Sequence, residues 1–498
     1  MTAFWKLYKV PLLLTFVSLF LYWFFAYDLI RTEYSQLILL YTALWLVFIL
    51  LLKFAKDNLK FLTVIAFLSR AIFILAIPNL SQDFYRFIWD GRMILEGLNP
   101  YLYTPESFIK SENLPIAQAQ ELYTGMGTLN GSHYTNYPPI NQLCFFFAAL
   151  FSGHSILGSA IILRLLIIAA DFGTFFFGKK LLKKLNLPEK NIFWYLLNPF
   201  IIIELTGNLH FEGVMIFFLI WSIYLLHIGK WKWAAVVFAL SISVKLIPIL
   251  FLPLFFYYFK KPIIISSKVG KSHNNEILKR VQNDDDIQII SSQKTSIHFK
   301  KLIAFYAIIG IVTALLFAPF FSSQFINNYS QTVALWFNNF EFNASIYYLA
   351  REIGYWFRGY NEIAVIGKIL PVLVFLFVMG LAFFRRKKDS QLLIRHMLFA
   401  FAIYLFLSTT VHPWYVATLL ALGMFTNYKF PLVWSFMIIL SYLAYLNLNK
   451  ADKFENLWII ALEYIVVYGV LIWEVLFMRR FPKKKGNEKA NSIELAKS

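Results

Sequence analysis

The chain has 498 residues, 59% of them hydrophobic and 15% charged, where an ordinary soluble domain carries about 25% charged residues. That balance excludes a soluble globular protein and predicts an all-α polytopic membrane protein, because several apolar runs reach the ~20 residues that cross a bilayer. The net charge of +19 fits short basic loops between spans better than nucleic-acid binding, and the single cysteine, Cys144, excludes an intrachain disulfide or a cysteine-based metal site.

In chain order, "MTAFWKLYKVPLLLTFVSLFLYWFFAY" begins basic, runs long and lacks a small-residue cleavage site, so it reads as a first span at 11–27 and not as a cleaved signal peptide. Further apolar segments follow at 36–52, 60–78, 156–178, 191–206, 213–229, 233–259, 301–321, 363–384, 391–409, 414–426, 430–446 and 457–477. Lys245 falls inside the segment 233–259, where a lysine at mid-bilayer costs ~2.5–3.5 kcal/mol. Pro248 disfavours helix just before it. A break at "KLIP", 245–248, is therefore expected, with a short span ending near Ser243 and "ILFLPLFFYYF" returning. "PPINQLCFFFAALFSG", 138–153, is too short to cross and reads as an interfacial or re-entrant helix.

The break also satisfies the positive-inside rule. With the N-terminus in the cytoplasm, one side then receives Lys53, Lys56 and Lys60, the lysines at 179–184, Lys230 and Lys232, Lys260 and Lys261, the "RRKK" at 385–388, Lys429 and the "RRFPKKK" that begins at Arg479. About 13–14 transmembrane helices result, with both ends cytoplasmic. The expected organisation is an N-terminal pair at 1–59, a core at 60–265 with a large outer loop at 79–138, a polar cytoplasmic insertion at 266–300, a C-terminal transmembrane part at 301–478 and a basic tail at 479–498. The insertion is mixed in charge and poor in aromatics, as loosely ordered segments are.

This topology brings five polar stretches to the non-cytoplasmic face: "NLSQDFYRFIWDGRMILEGLNPYLYTPE" from Asn79, "HYTNYPPI" from His133, "TGNLHFEG" from Thr206, "KLIP", and "STTVHPWY" from Ser408. Residues 82–96 read as a surface helix with Asp83, Arg86 and Asp90 on one side. Its ordinary role is an interfacial amphipathic helix with one Asp–Arg pair; its catalytic role is to present a carboxylate as general base. His412 and His210 suit structural hydrogen bonding as well as chemistry. His210 and Glu212 lack further ligands at helical metal spacing, so no metal is expected. Asn198-Pro199 reads as a helix kink. Lys245 either snorkels to headgroups or contacts a phosphate. A carboxylate base, cations for a phosphate and aromatic surface for sugar rings together suit inverting glycosyl transfer from a lipid phosphate.

The run "LSQDFYRFIWDGRMILEGLNPYLY", then "YPP", "LLNPFIIIELTGNLHFEG", "SVKLIPILFLP" and "HPWYVATLLAL", resembles the bacterial polyprenyl-phosphate-mannose-dependent mannosyltransferases. These are GT-C membrane glycosyltransferases, related to enzymes of the lipomannan and GPI-mannosyltransferase type. The resemblance runs from about Ser69 to Tyr428, outside the insertion. It implies a GT-C-like bundle in the bacterial inner membrane, an active site on the outer face, a polyprenyl-phosphate-sugar donor, a glycan or glycolipid acceptor, and no metal or other cofactor. The catalytic position is Asp83; its neighbour Gln82 departs from the acidic pair often found there. Expected supporting residues are Arg86, Asp90, Tyr137, His210, Glu212, Lys245 and His412. A lipid-linked-sugar flippase and an O-antigen polymerase or ligase are the alternative readings.

Overall fold

The computed structural model describes residues 2–264, 293–338, 340–383, 389–446 and 455–477. The chain is an all-α polytopic membrane protein, with two short strands among the described residues. The elements are α1 (Thr2–Tyr27), α2 (Tyr34–Phe54), α3 (Leu59–Ile72), α4 (Asp83–Leu95), α5 (Pro105–Lys110), α6 (Ala119–Gly131), α7 (Pro139–Ser152), α8 (Ile156–Lys184), the short α9 (Phe193–Leu196) and α10 (Pro199–Ile201), α11 (Glu212–His227) and α12 (Trp231–Val244). After the strands β1 (Lys260–Ile264) and β2 (Gln293–Ile297) come α13 (Phe299–Phe317), α14 (Ser323–Asn338), α15 (Ile346–Arg358), α16 (Ile363–Phe383), α17 (Ser390–Phe406), α18 (Val416–Gly423), α19 (Phe430–Met437) and α20 (Leu457–Phe477).

The apolar segments anticipated from the sequence are helical. Among the described residues, six helices are long and apolar enough to cross a membrane: α1 from Tyr8, α2, α8, α13 continued to Phe320, α16 and α20. Pro199–Gly207 and Glu212–His227 form a further pair bent by 114°. Buried side chains from Tyr22 to Val467 join in one hydrophobic cluster, so the N-terminal pair and the C-terminal helices share a core.

Proline and lysine set the breaks. Asn198 is extended (ψ 124°) and its side chain accepts the Phe200 amide at 3.0 Å, so the chain kinks at Asn198-Pro199 as expected. At "KLIP", α12 ends on Val244 and Lys245 is extended (φ −144°, ψ 140°). The returning arm, Ile247–Phe259, is a 3-10 helix with Pro253 inside it. Proline removes an amide donor and clashes with the preceding turn, which is compatible with a broken, tightened helix at this arm. The 14-residue α7 is ~21 Å long at 1.5 Å per residue, short of a ~30 Å hydrocarbon core.

Residues 385–388, 479–498 and most of the 266–300 insertion lie outside the described residues. Two strands stand at the edges of the insertion. β1 and β2 pair antiparallel, from Lys260 against Ile297 to Ile264 against Gln293, and α13 starts at Phe299.

Buried arginines fasten the core. Arg70 on α3 is fully buried; its Nε donates to Asp171 of α8 at 2.7 Å and its Nη1 to the Leu196 carbonyl at 2.7 Å. Arg164 on α8 donates to the carbonyls of Ile74, Thr206 and Gly207 at 2.9, 2.9 and 3.1 Å. Arg70→Leu strands the Asp171 carboxylate in an apolar interior and is expected to destabilise the protein by about 3–5 kcal/mol. A large fall in the thermal unfolding midpoint in detergent checks this.

Candidate active site

The outer loop expected at 79–138 folds over the bundle as α4, α5 and α6, followed by α7. The reading of 82–96 as a helix holds, but α4 is largely covered: nine of its 13 residues are buried. Gly91 permits this. A Cβ at Gly91 would sit 2.1 Å from the Phe145 carbonyl oxygen of α7, so only glycine allows the two backbones to approach this closely.

Asp83 is the first residue of α4, where unpaired amides and the helix dipole favour a carboxylate. It is half-buried, and its Oδ1 accepts from Asn130 Nδ2 at 3.2 Å. Arg86, one turn on, donates from Nε to Asp90 Oδ1 at 2.8 Å and from Nη1 to the carbonyls of Asn130 and His133 at 2.7 and 2.9 Å. Asp90 is fully buried, and its Oδ2 accepts from Gln142 at 3.1 Å. Asp90 therefore holds Arg86, Arg86 holds the end of α6, and Asn130 at that end holds Asp83.

Asp83 faces a cavity of about 1140 Å³. Of the residues expected from the sequence, Asp83, Arg86, Tyr137, Lys245 and His412 line it. Lys245 Nζ lies 3.0 Å from Oε1 of the fully buried Glu212 and 5.4 Å from the Tyr137 ring centre, so it faces the cavity from the "KLIP" break. Burial raises the Tyr137 phenol well above its ordinary value, and the Asp83 charge acts in the same direction, so Tyr137 stays protonated. His412 stacks on Trp414 with centroids 4.6 Å apart; His210 also stacks on Trp414, at 3.7 Å.

Asp90, His210 and Glu212 stand behind the wall and do not line the cavity. They support Arg86, Trp414 and Lys245 respectively. The "TGNLHFEG" link is bent tightly: a π-helical turn, Ile202–Gly207, precedes it, and Leu209 adopts φ +62°, a left-handed conformation costly for leucine. Asn208 in this link accepts the Leu80 amide at 3.2 Å, which joins it to the start of the Asp83 loop.

Other lining residues carried no motif. Arg31, in the turn between α1 and α2, places its guanidinium carbon 3.4 Å from the centre of the Tyr445 ring. Glu341 accepts from Arg351, Tyr347 and Asn361 at 2.5, 2.6 and 2.5 Å. Glu455 accepts from the Asn343 amide at 2.7 Å and from the Tyr348 hydroxyl. The Phe342 amide donates to the Thr409 carbonyl and the Phe342 carbonyl accepts from the Val411 amide, either side of Thr410, which lays this loop along the "STTVHPWY" stretch. Three of the four arginine and lysine side chains in the wall are matched by carboxylates: Arg86 by Asp90, Lys245 by Glu212 and Arg351 by Glu341. Among the described residues Arg31 has no such ion pair.

Residues 16–260 match the family described as Alpha-(1->6)-mannopyranosyltransferase, N-terminal domain. That stretch holds Arg31, Asp83, Arg86, Tyr137 and Lys245. Over that stretch the chain fits a GT-C mannosyltransferase family. No curated protein sequence matches the chain. The protein is thus a membrane glycosyltransferase with a mannosyltransferase role. Residues 16–260 supply Asp83 and three cations of the cavity wall, Arg31, Arg86 and Lys245, whereas His412, Arg351 and Glu455 come from the C-terminal part of the chain.

Gly91→Ala drives a methyl group into the Phe145 backbone and is expected to cost ~1–3 kcal/mol through overpacking. Because α4 carries Asp83, sugar transfer should fall further than stability does. Thermal midpoint and turnover measured on the same preparation separate the two effects.

Proposed function

We propose that the protein transfers a hexose, mannose by family, from a polyprenyl-phosphate donor to a glycan or glycolipid acceptor, with inversion, on the non-cytoplasmic face of a bacterial inner membrane. The observation that carries this reading is that one cavity is lined by the Asp83 carboxylate and by Lys245, Arg31 and His412 from other parts of the chain. A base and a cationic site for a departing anion are the two things this chemistry requires.

In the reaction, Asp83 takes the proton of the acceptor hydroxyl. The acceptor oxygen bonds to the anomeric carbon from the side opposite the phosphate. The bond from that carbon to the phosphate oxygen breaks, and its electron pair leaves with polyprenyl phosphate. Lys245, Arg31 and His412 meet that anion, and positive charge there lowers the barrier more than a general acid would. Arg31 is suited to meet it, since among the described residues it forms no ion pair with a carboxylate while Glu212 pairs with Lys245. Asp90 and Arg86 keep Asn130 on Asp83, so the base has a fixed direction. Tyr137 and Trp414 supply aromatic faces for the sugar.

Asp83→Asn should lower release of polyprenyl phosphate from polyprenyl-phosphate-mannose by ~100- to 10,000-fold without loss of expression. Near-normal release by that variant would remove Asp83 as the base. Arg31→Gln and Lys245→Gln should each lower kcat by roughly 100-fold, as loss of one preorganised donor to a developing anion does. Steady-state kinetics with purified protein and a membrane extract as acceptor source measure both effects.

A further inference from the structure

α15 carries two unlike faces. Helical residues advance by ~100° each, so Leu349, Ile353, Trp356 and Phe357 fall within an arc of about 100°. All four are exposed, Trp356 at 84% and Phe357 at 82%. The cavity is lined from the other side of the same helix by Tyr348, Arg351 and Tyr355. Glu341 fastens this second face through Arg351 and Tyr347.

The exposed face continues into a surface of known kind. The chain turns at Gly359 (φ +77°), where a left-handed conformation suits glycine, and Asn361 accepts the Ile363 amide at 3.0 Å to start α16. α16 is one of the span-length helices, and it too exposes large apolar side chains, among them Ile369 and Phe375. A contiguous Leu–Ile–Trp–Phe face beside a lipid-facing helix is covered by lipid more simply than by water. Glu352, which borders the apolar arc, and Arg358, at the end of the helix, are both solvent-accessible, as charges are where such a helix meets the polar interface.

A lipid-linked substrate has to keep its chain in the bilayer while its head group reaches the cavity. α15 is an element with one face to each. We infer that α15 lies in the bilayer interface with its apolar face in lipid, and that the donor enters beside it, its chain against Trp356 and Phe357 and its phosphate passing Arg351. The entry path rests on the polyprenyl-phosphate reading; the seat of α15 in lipid does not.

The test has two arms. Trp356→Cys is placed in a Cys144→Ser background, since Cys144 is the sole cysteine. The protein is labelled with an environment-sensitive fluorophore and reconstituted in vesicles containing brominated phosphatidylcholine. Bromine should quench this label as it quenches one at Phe375→Cys, and aqueous iodide should not. Quenching by iodide alone, or by neither agent, overturns the lipid seat. In the second arm, Trp356→Ser/Phe357→Ser should raise KM roughly tenfold for a long-chain donor and leave it unchanged for a short-chain, water-soluble donor. An equal change for both donors, or none for either, overturns the entry path. Wild-type protein inactive with both donors overturns the donor reading, and the quenching arm still decides where α15 lies.

Discussion

Charge that cannot reach water must be matched inside the protein, and in this bundle the matches join distant parts of the chain. Arg70 ties α3 to α8, and Arg164 ties α8 to the bend before α11. Glu463 on α20 accepts from Trp434 at 2.9 Å and from Asn343 at 3.2 Å, which locks the last helix to α19 and to the loop beneath the cavity. Glu474 accepts the amides of Lys429 and Phe430 at 2.6 and 3.1 Å, where the start of α19 favours a negative group. The cavity stands among these ties, so its walls are held by the interactions that assemble the bundle.

The same constraint organises the site. Asp90 and Glu212 never meet the cavity, yet each is buried against a cation that does. This division of labour gives the Asp83 carboxylate a rigid surround. It also pairs three of the wall's cations with carboxylates, and among the described residues Arg31 alone of the four forms no such ion pair.

Most of the fold was legible because its rules act locally. Asn198-Pro199 and Lys245–Pro248 break helices where sequence and bilayer cost say they must, and the apolar runs became helices. The 3-10 course of Ile247–Phe259 was not legible, because prolines specify a disturbance while packing against α16 and α17 chooses its form. In the site, Asp83, Arg86, Tyr137, Lys245 and His412 were found since each sits in a polar stretch at the end of an apolar one. His210, Glu212 and Asp90 came from the same stretches, and nothing in a linear pattern separates a residue that lines a wall from one that braces it. Arg31 is a single charge in a turn and Arg351 a single charge on α15, and neither belongs to a motif. Their importance depends on Tyr445 and Glu341, which only the tertiary fold brings to them.

The paired ends of the ribbon have a practical meaning. Ile264 lies directly opposite Gln293, so the chain leaves and re-enters the bundle at neighbouring points. Sequence between those points can lengthen, shorten or be exchanged without altering the spacing of the helices on either side. An experimenter has there a place to graft a reporter or an affinity handle.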